Sequence, residues 1–252
     1  MKNDLTVSLI VPAYNEEVNI QKGVLDKIGN YTREHGEFSE VLLVDDGSTD
    51  GTINLIKDEY IRKFPRFRLV ESKHAGKEQA IITGIKEAKS NVAMFTDIDL
   101  ATPIEEGEKL LNALKNGHDI AIGSRNTHRE GAPLLRKIMA VGFIFIRNTL
   151  IGLKDIKDTQ CGFKAFDRMA ALKIISKLMV FKKQSSIAGS SVKAGFDLEF
   201  LFVAIKLGYR IKEIPVTWKH VETKNVNFFR DFIDTMKDIL AIKYYDLTKK
   251  YD

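Results

Sequence analysis

Short apolar runs and amphipathic stretches alternate through the first half of the chain. Leu5 to Val11 is apolar almost throughout and stops at Pro12, the pattern of a strand buried on both faces. Glu17 to about Arg33 sets Val18, Val24, Leu25 and Ile28 at helical spacing. Glu40 to Val44 predicts a second strand, closed by the turn-rich Asp45-Asp-Gly-Ser-Thr-Asp-Gly-Thr52. Ile53 to Arg62 predicts a helix with Leu55, Ile56 and Ile61 inward, and Phe67 to Glu71 a third strand. After the turn His74-Ala-Gly-Lys77, Glu78 to Lys89 predicts a helix with Ile81, Ile82 and Ile85 inward. Val92 to Phe95 is the fourth strand, and the helix after Pro103 opens on Glu105, Glu106 and Glu108, acidic residues suited to a helix N-terminus. Asp119 to Ile122 is the fifth strand, ending at Gly123-Ser-Arg125. Strand and helix in alternation predict an α/β fold: a mostly parallel sheet with helices on both faces.

From Ala132 the pattern changes. Leu134 to Leu153 mixes large apolar residues with Arg136, Lys137 and Arg147, predicting one or two amphipathic helices with basic margins. Asp158-Thr-Gln-Cys-Gly-Phe-Lys-Ala-Phe166 precedes a helix from Met169, and Lys182 to Ser191 reads as a polar, Ser-rich loop. Gly195 to about Leu207 predicts a helix, Tyr209 to Val216 a strand and Phe228 to Tyr245 a closing amphipathic helix. With no repeat and no hinge-like linker, residues 1–252 are expected to form a single domain. Its 1–125 half would bind the donor, and its 126–252 half would bind the acceptor through amphipathic, membrane-facing helices.

The net charge of +5 suits an anionic ligand or an anionic membrane surface. It is too diffuse to indicate nucleic acid, and no nucleic-acid-binding motif is present. The only cysteine, Cys161, excludes an intrachain disulfide and suits a reducing compartment. No signal peptide is visible, and no apolar stretch reaches the ~20 residues of a membrane span. A peripheral location on the cytoplasmic face of a membrane is the expectation.

Candidate chemistry gathers at the strand that ends in Phe95-Thr-Asp-Ile-Asp-Leu-Ala101. Open α/β sheets bind ligands at the C-terminal edge of their strands. Residues i and i+2 of an ideal strand share a side, so Asp97 and Asp99 are expected to converge on one hard divalent ion, Mg²⁺ or Mn²⁺. Such an ion neutralises charge on a leaving phosphate. An Asp-x-Asp pair by itself is also what a solvated turn before a capped helix looks like. The loops carrying Tyr14, Asp46 and Asp97 are all expected to open on one sheet edge, and this favours the functional reading.

Four separated motifs then align: Val11-Pro-Ala-Tyr-Asn-Glu16, Val44-Asp-Asp-Gly-Ser-Thr-Asp-Gly51, Thr96-Asp-Ile-Asp99 and Asp158-Thr-Gln-Cys-Gly-Phe-Lys164. Together they resemble the family 2 glycosyltransferases of GT-A fold, which have a mostly parallel Rossmann-like sheet. The likeness is to the branch acting on dolichyl or other polyprenyl phosphates. Gly195-Phe-Asp-Leu-Glu199 and Gly208-Tyr-Arg-Ile-Lys-Glu-Ile-Pro-Val216 are most similar to the glucosyltransferase subgroup. The neighbouring mannose synthases usually carry Leu-Gln after Asp-x-Asp, where this chain has Leu100-Ala101.

The resemblance implies a nucleotide-sugar pocket of Pro12, Tyr14, Glu16, Val44, Asp46, Asp97, Ile98 and Asp99, with Asp45 as loop support. It implies a metal on Asp97 and Asp99, and acceptor-side roles for Gln160, Gly162, Lys164 and Glu199. Arg125, Arg136, Lys224 and Lys77 are candidate phosphate contacts, because cationic side chains match phosphate oxygens. Asp197 is the preferred sugar or acceptor contact. Asp197 and Glu199, two apart at a helix start, are not expected to share a face. Cys161 is expected to be a small buried residue and Trp218 core or interface; His74 and His220 lack metal-ligand spacing.

The implied reaction is a metal-dependent, inverting transfer of a hexose from a nucleotide sugar, UDP-glucose or UDP-N-acetylglucosamine, to dolichyl phosphate, in protein N-glycosylation or related glycan assembly. A phosphate monoester, with its second pKa near ~6, needs little general-base help. Rival readings are a GDP-mannose-dependent synthase, a family 2 transferase that elongates a glycan, and a non-catalytic sugar-nucleotide-binding scaffold. An oligomer is compatible with all of them.

Overall fold

A computed structural model describes residues 4–125, 134–183, 194–219 and 228–252; of residues 134–141, 145, 183, 194 and 228–231 only the backbone is described. The polar loop expected within 182–191 lies mostly outside these residues, as do His220 and Lys224.

Seven strands form one sheet: β1 (Val7–Ala13), β2 (Phe38–Asp45), β3 (Phe67–Glu71), β4 (Val92–Thr96), β5 (Ile120–Arg125), β6 (Phe163–Asp167) and β7 (Ile211–Val216). Their spatial order is β3-β2-β1-β4-β6-β5-β7. Every pairing is parallel except those made by β6, which runs antiparallel to β4 and β5. The register sets Thr96 against Phe163, so the segment before β6 arrives where β4 ends. Antiparallel β6 thereby delivers residues 158–162 to the edge already formed by the ends of β1, β2, β4 and β5.

The first strand runs through Pro12 rather than stopping there. A missing amide is costly only where a ladder needs it. The β1–β4 ladder ends at Ile10 opposite Phe95, short of Pro12.

Helices α1 (Glu17–Gln21) and α2 (Val24–Glu34) replace the single helix expected from Glu17 to Arg33. Gly23, at φ +81°, breaks the run, a conformation that carries no Cβ penalty in glycine. The expected 53–62 helix is α3 (Thr52–Leu55), a π turn over Ile56–Tyr60 and α4 (Ile61–Lys63). Then follow α5 (Lys77–Glu87), α6 (Gly107–Lys115), α7 (Leu134–Ile151), α8 (Arg168–Lys177), α9 (Val180–Lys183), α10 (Ala194–Lys206) and α11 (Phe228–Leu247).

Alternate strand residues feed two cores. Ile10, Leu42, Val44, Phe95, Ile122 and Phe166 face α5, α8, α10 and α11. Leu9, Val11, Leu43, Met94, Ala121 and Phe163 face α2 and α6. Burial on both faces is why the parallel strands lack polar alternation.

Arg147 corrects the expectation of basic helix margins. It is fully buried in α7, with its guanidinium donating to Asn148 Oδ1 and the carbonyls of Leu153 and Ile156. Among the described residues no helix is long and apolar enough to cross a membrane.

Candidate active site

The loops after β1 and β2 are laced together before any ligand arrives. Asn15 sits at φ +54°, a left-handed conformation that asparagine tolerates better than most residues. Its Oδ1 accepts from Thr49 N at 2.8 Å, and its backbone N–H donates to Ser48 Oγ at 2.9 Å. The Glu16 amide donates to Thr52 Oγ1 at 2.8 Å, and Glu16 Oε2 accepts from Asn19 Nδ2 at 2.6 Å. Asp45 supports its own loop as expected: Oδ2 accepts from Gly47 N at 2.9 Å and Ser48 N at 3.0 Å.

Asp46 is buried and holds the next loop. Its carboxylate accepts from Ala75 N and Gly76 N, each at 2.8 Å, and faces His74 Nδ1 at 2.8 Å. The same Nδ1 lies 3.0 Å from the Asp46 carbonyl. Two acceptors around one nitrogen place the proton on Nδ1. The His74 ring stacks on Tyr14, with centroids 4.2 Å apart and planes at 20°. His74, which lacks metal-ligand spacing in the sequence, thus stands beside Tyr14 in the candidate site. It follows β3, and lying past the C-terminal end of a parallel strand was the signal available in the sequence.

Of the pocket residues implied by resemblance, Tyr14 and Glu16 remain partly open to the edge. Pro12, Val44 and Ile98 are buried, Val44 and Ile98 inside the two cores. As side chains these three form the floor beneath the site rather than its lining, and the Asp46 carboxylate is spent on residues 74–76.

Strand β4 ends at Thr96, so the strand rule that placed Asp97 and Asp99 on one side does not apply. The chain turns instead. Leu100 N donates to the Asp97 carbonyl at 3.2 Å, Asp99 Oδ1 accepts from Ala101 N at 3.0 Å, and Leu100 is left-handed at φ +50°. A left-handed leucine costs ~1–2 kcal/mol and is held by those two bonds. The turn still leaves the carboxylates within electrostatic reach: burial first, and the charge of Asp97 besides, raise the Asp99 pKa above the ordinary aspartate value.

A cation already stands against Asp97. The Lys77 ammonium, at the first residue of α5, pairs with Asp97 Oδ1. Burial lowers the Lys77 pKa, but the Asp97 charge and hydrogen bond more than reverse this, leaving it above the usual lysine value. Gly162 closes the other side. A Cβ there would meet Asp97 Oδ2 inside van der Waals contact, so only glycine permits this approach.

Lys164 and Asp197 form a second pair, 2.8 Å apart, with the lysine side chain only 3% exposed. Lys164 Nζ also donates to the Cys161 carbonyl at 2.7 Å and lies 5.3 Å from the Phe95 ring centroid. Arg125 makes a two-pronged bond to Asp158, Nε to Oδ2 at 2.7 Å and Nη2 to Oδ1 at 2.9 Å. Burial raises the Asp158 pKa, and the Arg125 bond and charge outweigh it, holding the carboxyl below its ordinary value. Arg125 therefore enters the site bound to a carboxylate rather than as an open phosphate fork, and its guanidinium lies 5.8 Å from the Trp218 ring. Gln160 is exposed beside it, its backbone N–H donating to Asp158 Oδ1 at 3.2 Å.

Glu199 is not on the acceptor side. It is fully buried and accepts from the amides of Met179, Val180 and Phe181 and from Tyr251 Oη. As expected, it faces away from Asp197. Cys161 is buried, and burial pushes its thiol up to about 11, which suits an inert residue. The Arg136 side chain and Lys224 lie outside the described residues.

The donor set fits a hard divalent cation. Asp97 and Asp99 are two oxygen donors on one turn, and the Lys77 ammonium marks where positive charge is held. Among the described residues no three His, Cys, Asp or Glu side chains cluster as ligands. Two carboxylates with the remaining positions left to phosphate and water is how Mg²⁺ is commonly held.

Residues 8–175 match the family model described as glycosyl transferase family 2. A dolichyl-phosphate beta-glucosyltransferase of Saccharomyces cerevisiae is 31% identical over 95% of this chain and 75% of its own length. The human enzyme of that name is 33% identical over 96% and 76%. Glucosyl-3-phosphoglycerate synthase of Mycobacterium tuberculosis, solved with Mn²⁺, UDP-glucose and phosphoglyceric acid, superposes with a TM-score of 0.68 at 18% identity, covering 96% of this chain and 81% of that one. The same enzyme has also been solved with Mg²⁺ and UDP. A family match over more than half of the chain, and likeness at 31–33% identity over nearly all of this chain to known transferases, lead to one assignment: the chain belongs to glycosyl transferase family 2.

Proposed function

We propose that the protein transfers glucose from UDP-glucose to a polyprenyl phosphate of the dolichyl type, with inversion at the anomeric carbon. The observation that carries this reading is the Asp97/Asp99 turn, set at the same sheet edge as Tyr14 and the Lys164–Asp197 pair. The names of the curated relatives supply the sugar and the lipid class.

In this reading Tyr14, braced by His74, receives the nucleobase, and Glu16 accepts from ribose hydroxyls. Asp97 and Asp99 hold Mg²⁺ or Mn²⁺. The ion, when bound, stabilises negative charge on the departing diphosphate. Lys164 holds in place the Asp197 carboxylate, which accepts from a sugar hydroxyl and orients the ring. An acceptor phosphate oxygen attacks the anomeric carbon as the bond to the diphosphate breaks, and UDP leaves. The acceptor is already anionic at neutral pH, so positioning and charge supply the rate.

The basic side chains described near the site, Lys77, Arg125 and Lys164, are each paired with a carboxylate. Arg136 and Lys224 stay proposed, from the sequence, as contacts for the donor diphosphate or the acceptor phosphate. The lipid tail suits α11, which exposes Ile233, Leu240, Tyr244 and Leu247 in one stripe between Lys237 and Lys243 while burying Ile239 and Ile242. Such a face rests at an interface with its lysines at the headgroups. We place the protein peripherally on the cytoplasmic face, in keeping with its single buried thiol.

The test is transfer of labelled sugar to dolichyl phosphate in detergent with Mg²⁺ or Mn²⁺, with UDP-glucose, UDP-N-acetylglucosamine and GDP-mannose compared. Metal-dependent glucolipid, lost in Asp97→Asn, is expected. Labelled saccharide without labelled lipid would move the protein to the glycan-elongating class.

A further inference from the structure

We propose that Lys77 is a resident cation that holds the metal position at Asp97 in the nucleotide-free protein, so that the divalent ion enters together with the diphosphate and not before it. This rests on the reading of Asp97 and Asp99 as metal ligands.

Both oxygens of the Asp97 carboxylate have a close neighbour, while the side chain stays one-third exposed. Gly162 is packed against Oδ2, and the Lys77 ammonium is on Oδ1. Lys77 is not a chance neighbour, because its backbone is fixed from both sides. Gly76, at φ +99°, starts α5, and the Asp46 carboxylate clamps the Gly76 amide. The helix itself is anchored in the core by Ile81, Ile82 and Ile85. The flexible four-carbon stem above that backbone is free to change partner.

A divalent ion beside Asp97 would lie within a few ångströms of this ammonium, and like charges at that range in a half-buried site repel strongly. Two carboxylates, one of them already neutralised, make a weak site for a free metal. A diphosphate changes the balance twice over: its oxygens complete the metal's coordination, and they offer the displaced ammonium a new anionic partner. Asp197, the other carboxylate whose charge acts on Lys77 apart from its neighbour Glu78, is engaged by Lys164. The arrangement makes binding ordered. It also keeps the half-buried Asp97 carboxylate paired between turnovers.

Mn²⁺ binding, read from the electron paramagnetic resonance of the free ion, tests this with wild type, Lys77→Met and Lys77→Arg, each with and without UDP. Wild type is expected to bind Mn²⁺ weakly alone and at least about tenfold tighter with UDP. Lys77→Met is expected to bind Mn²⁺ alone at least about tenfold tighter than wild type, and to gain less from UDP. Lys77→Arg keeps the charge and is expected to follow wild type. Circular dichroism verifies folding, and Lys77→Gln replaces the methionine variant should that one not fold. If UDP promotes Mn²⁺ binding to wild type but the neutral variant alone binds within about twofold of wild type, the resident-cation proposal falls while the metal reading stands. If wild type binds no Mn²⁺ even with UDP, the metal assignment falls and takes the proposal with it.

Discussion

Replacing Glu199 separates a structural carboxylate from a catalytic one. Its two oxygens sit in the interior, 2.6 Å from Met179 N, 2.8 Å from Val180 N, 2.9 Å from Phe181 N and 2.8 Å from Tyr251 Oη. One carboxylate from α10 thus caps the start of α9 and ties down the penultimate residue of the chain. A hydrogen bond to a charged group is worth ~1.5–3 kcal/mol, and such bonds sharing one acceptor group do not add. Glu199→Ala orphans four donors, two of them buried and two half-buried, and ~4–6 kcal/mol of stability should go with it. In a domain of this size each kcal/mol moves the melting point by ~2–4 °C, so a fall of roughly 10–20 °C is expected. Glu199→Gln keeps one acceptor oxygen but turns an amide toward donors, so about half of that loss is expected. Tyr251→Phe removes a single bond and should cost ~1–2 kcal/mol. Thermal unfolding followed by far-ultraviolet circular dichroism measures all three. Transfer assayed well below the transitions should be largely retained per folded molecule. Melting of Glu199→Ala within about 2 °C of wild type, with transfer abolished, would refute the structural assignment.

Two further outcomes follow from the same edge of the sheet. Arg125 holds the Asp158 carboxyl below its ordinary pKa, so the pair stabilises the fold above the unfolded value near ~3.9 and loses that contribution as pH falls through the lower folded value. Urea denaturation of wild type and Asp158→Asn should therefore show a stability gap at neutral pH that shrinks on acidification below pH ~4; a constant gap would rule out the ion pair as its source. Gly162→Ala should leave the melting point nearly unchanged, since the obstructing atoms belong to the end of the Asp97 side chain. It should weaken Mn²⁺–UDP binding by about tenfold or more through the displaced carboxylate, read by titration calorimetry. Unaltered binding would show that Asp97 does not need its place beside Gly162.

The linear sequence determined the alternation of strand and helix, the strand-end loops that carry function, and the family. Each follows from local pattern: apolar runs such as Leu5 to Val11 have no use but a doubly covered strand, and Gly/Asp-rich turns close them. What it left open is set by contacts between residues far apart in the chain. The helix break at Gly23 and the turn after Thr96 depend on how the chain packs, and periodicity averages over both. His74 stands beside Tyr14 because Asp46, 28 residues away, clamps its loop. Glu199 and Asp197 sit two residues apart on one helix, yet tertiary packing sends one to a buried cap and the other to Lys164. Arg125 looked like a phosphate fork until the antiparallel β6 brought Asp158 to it. Charge and spacing along a chain name the groups able to do chemistry. Which of them stay available for it depends on which partners the fold brings within a hydrogen bond, and that is a property of three dimensions alone.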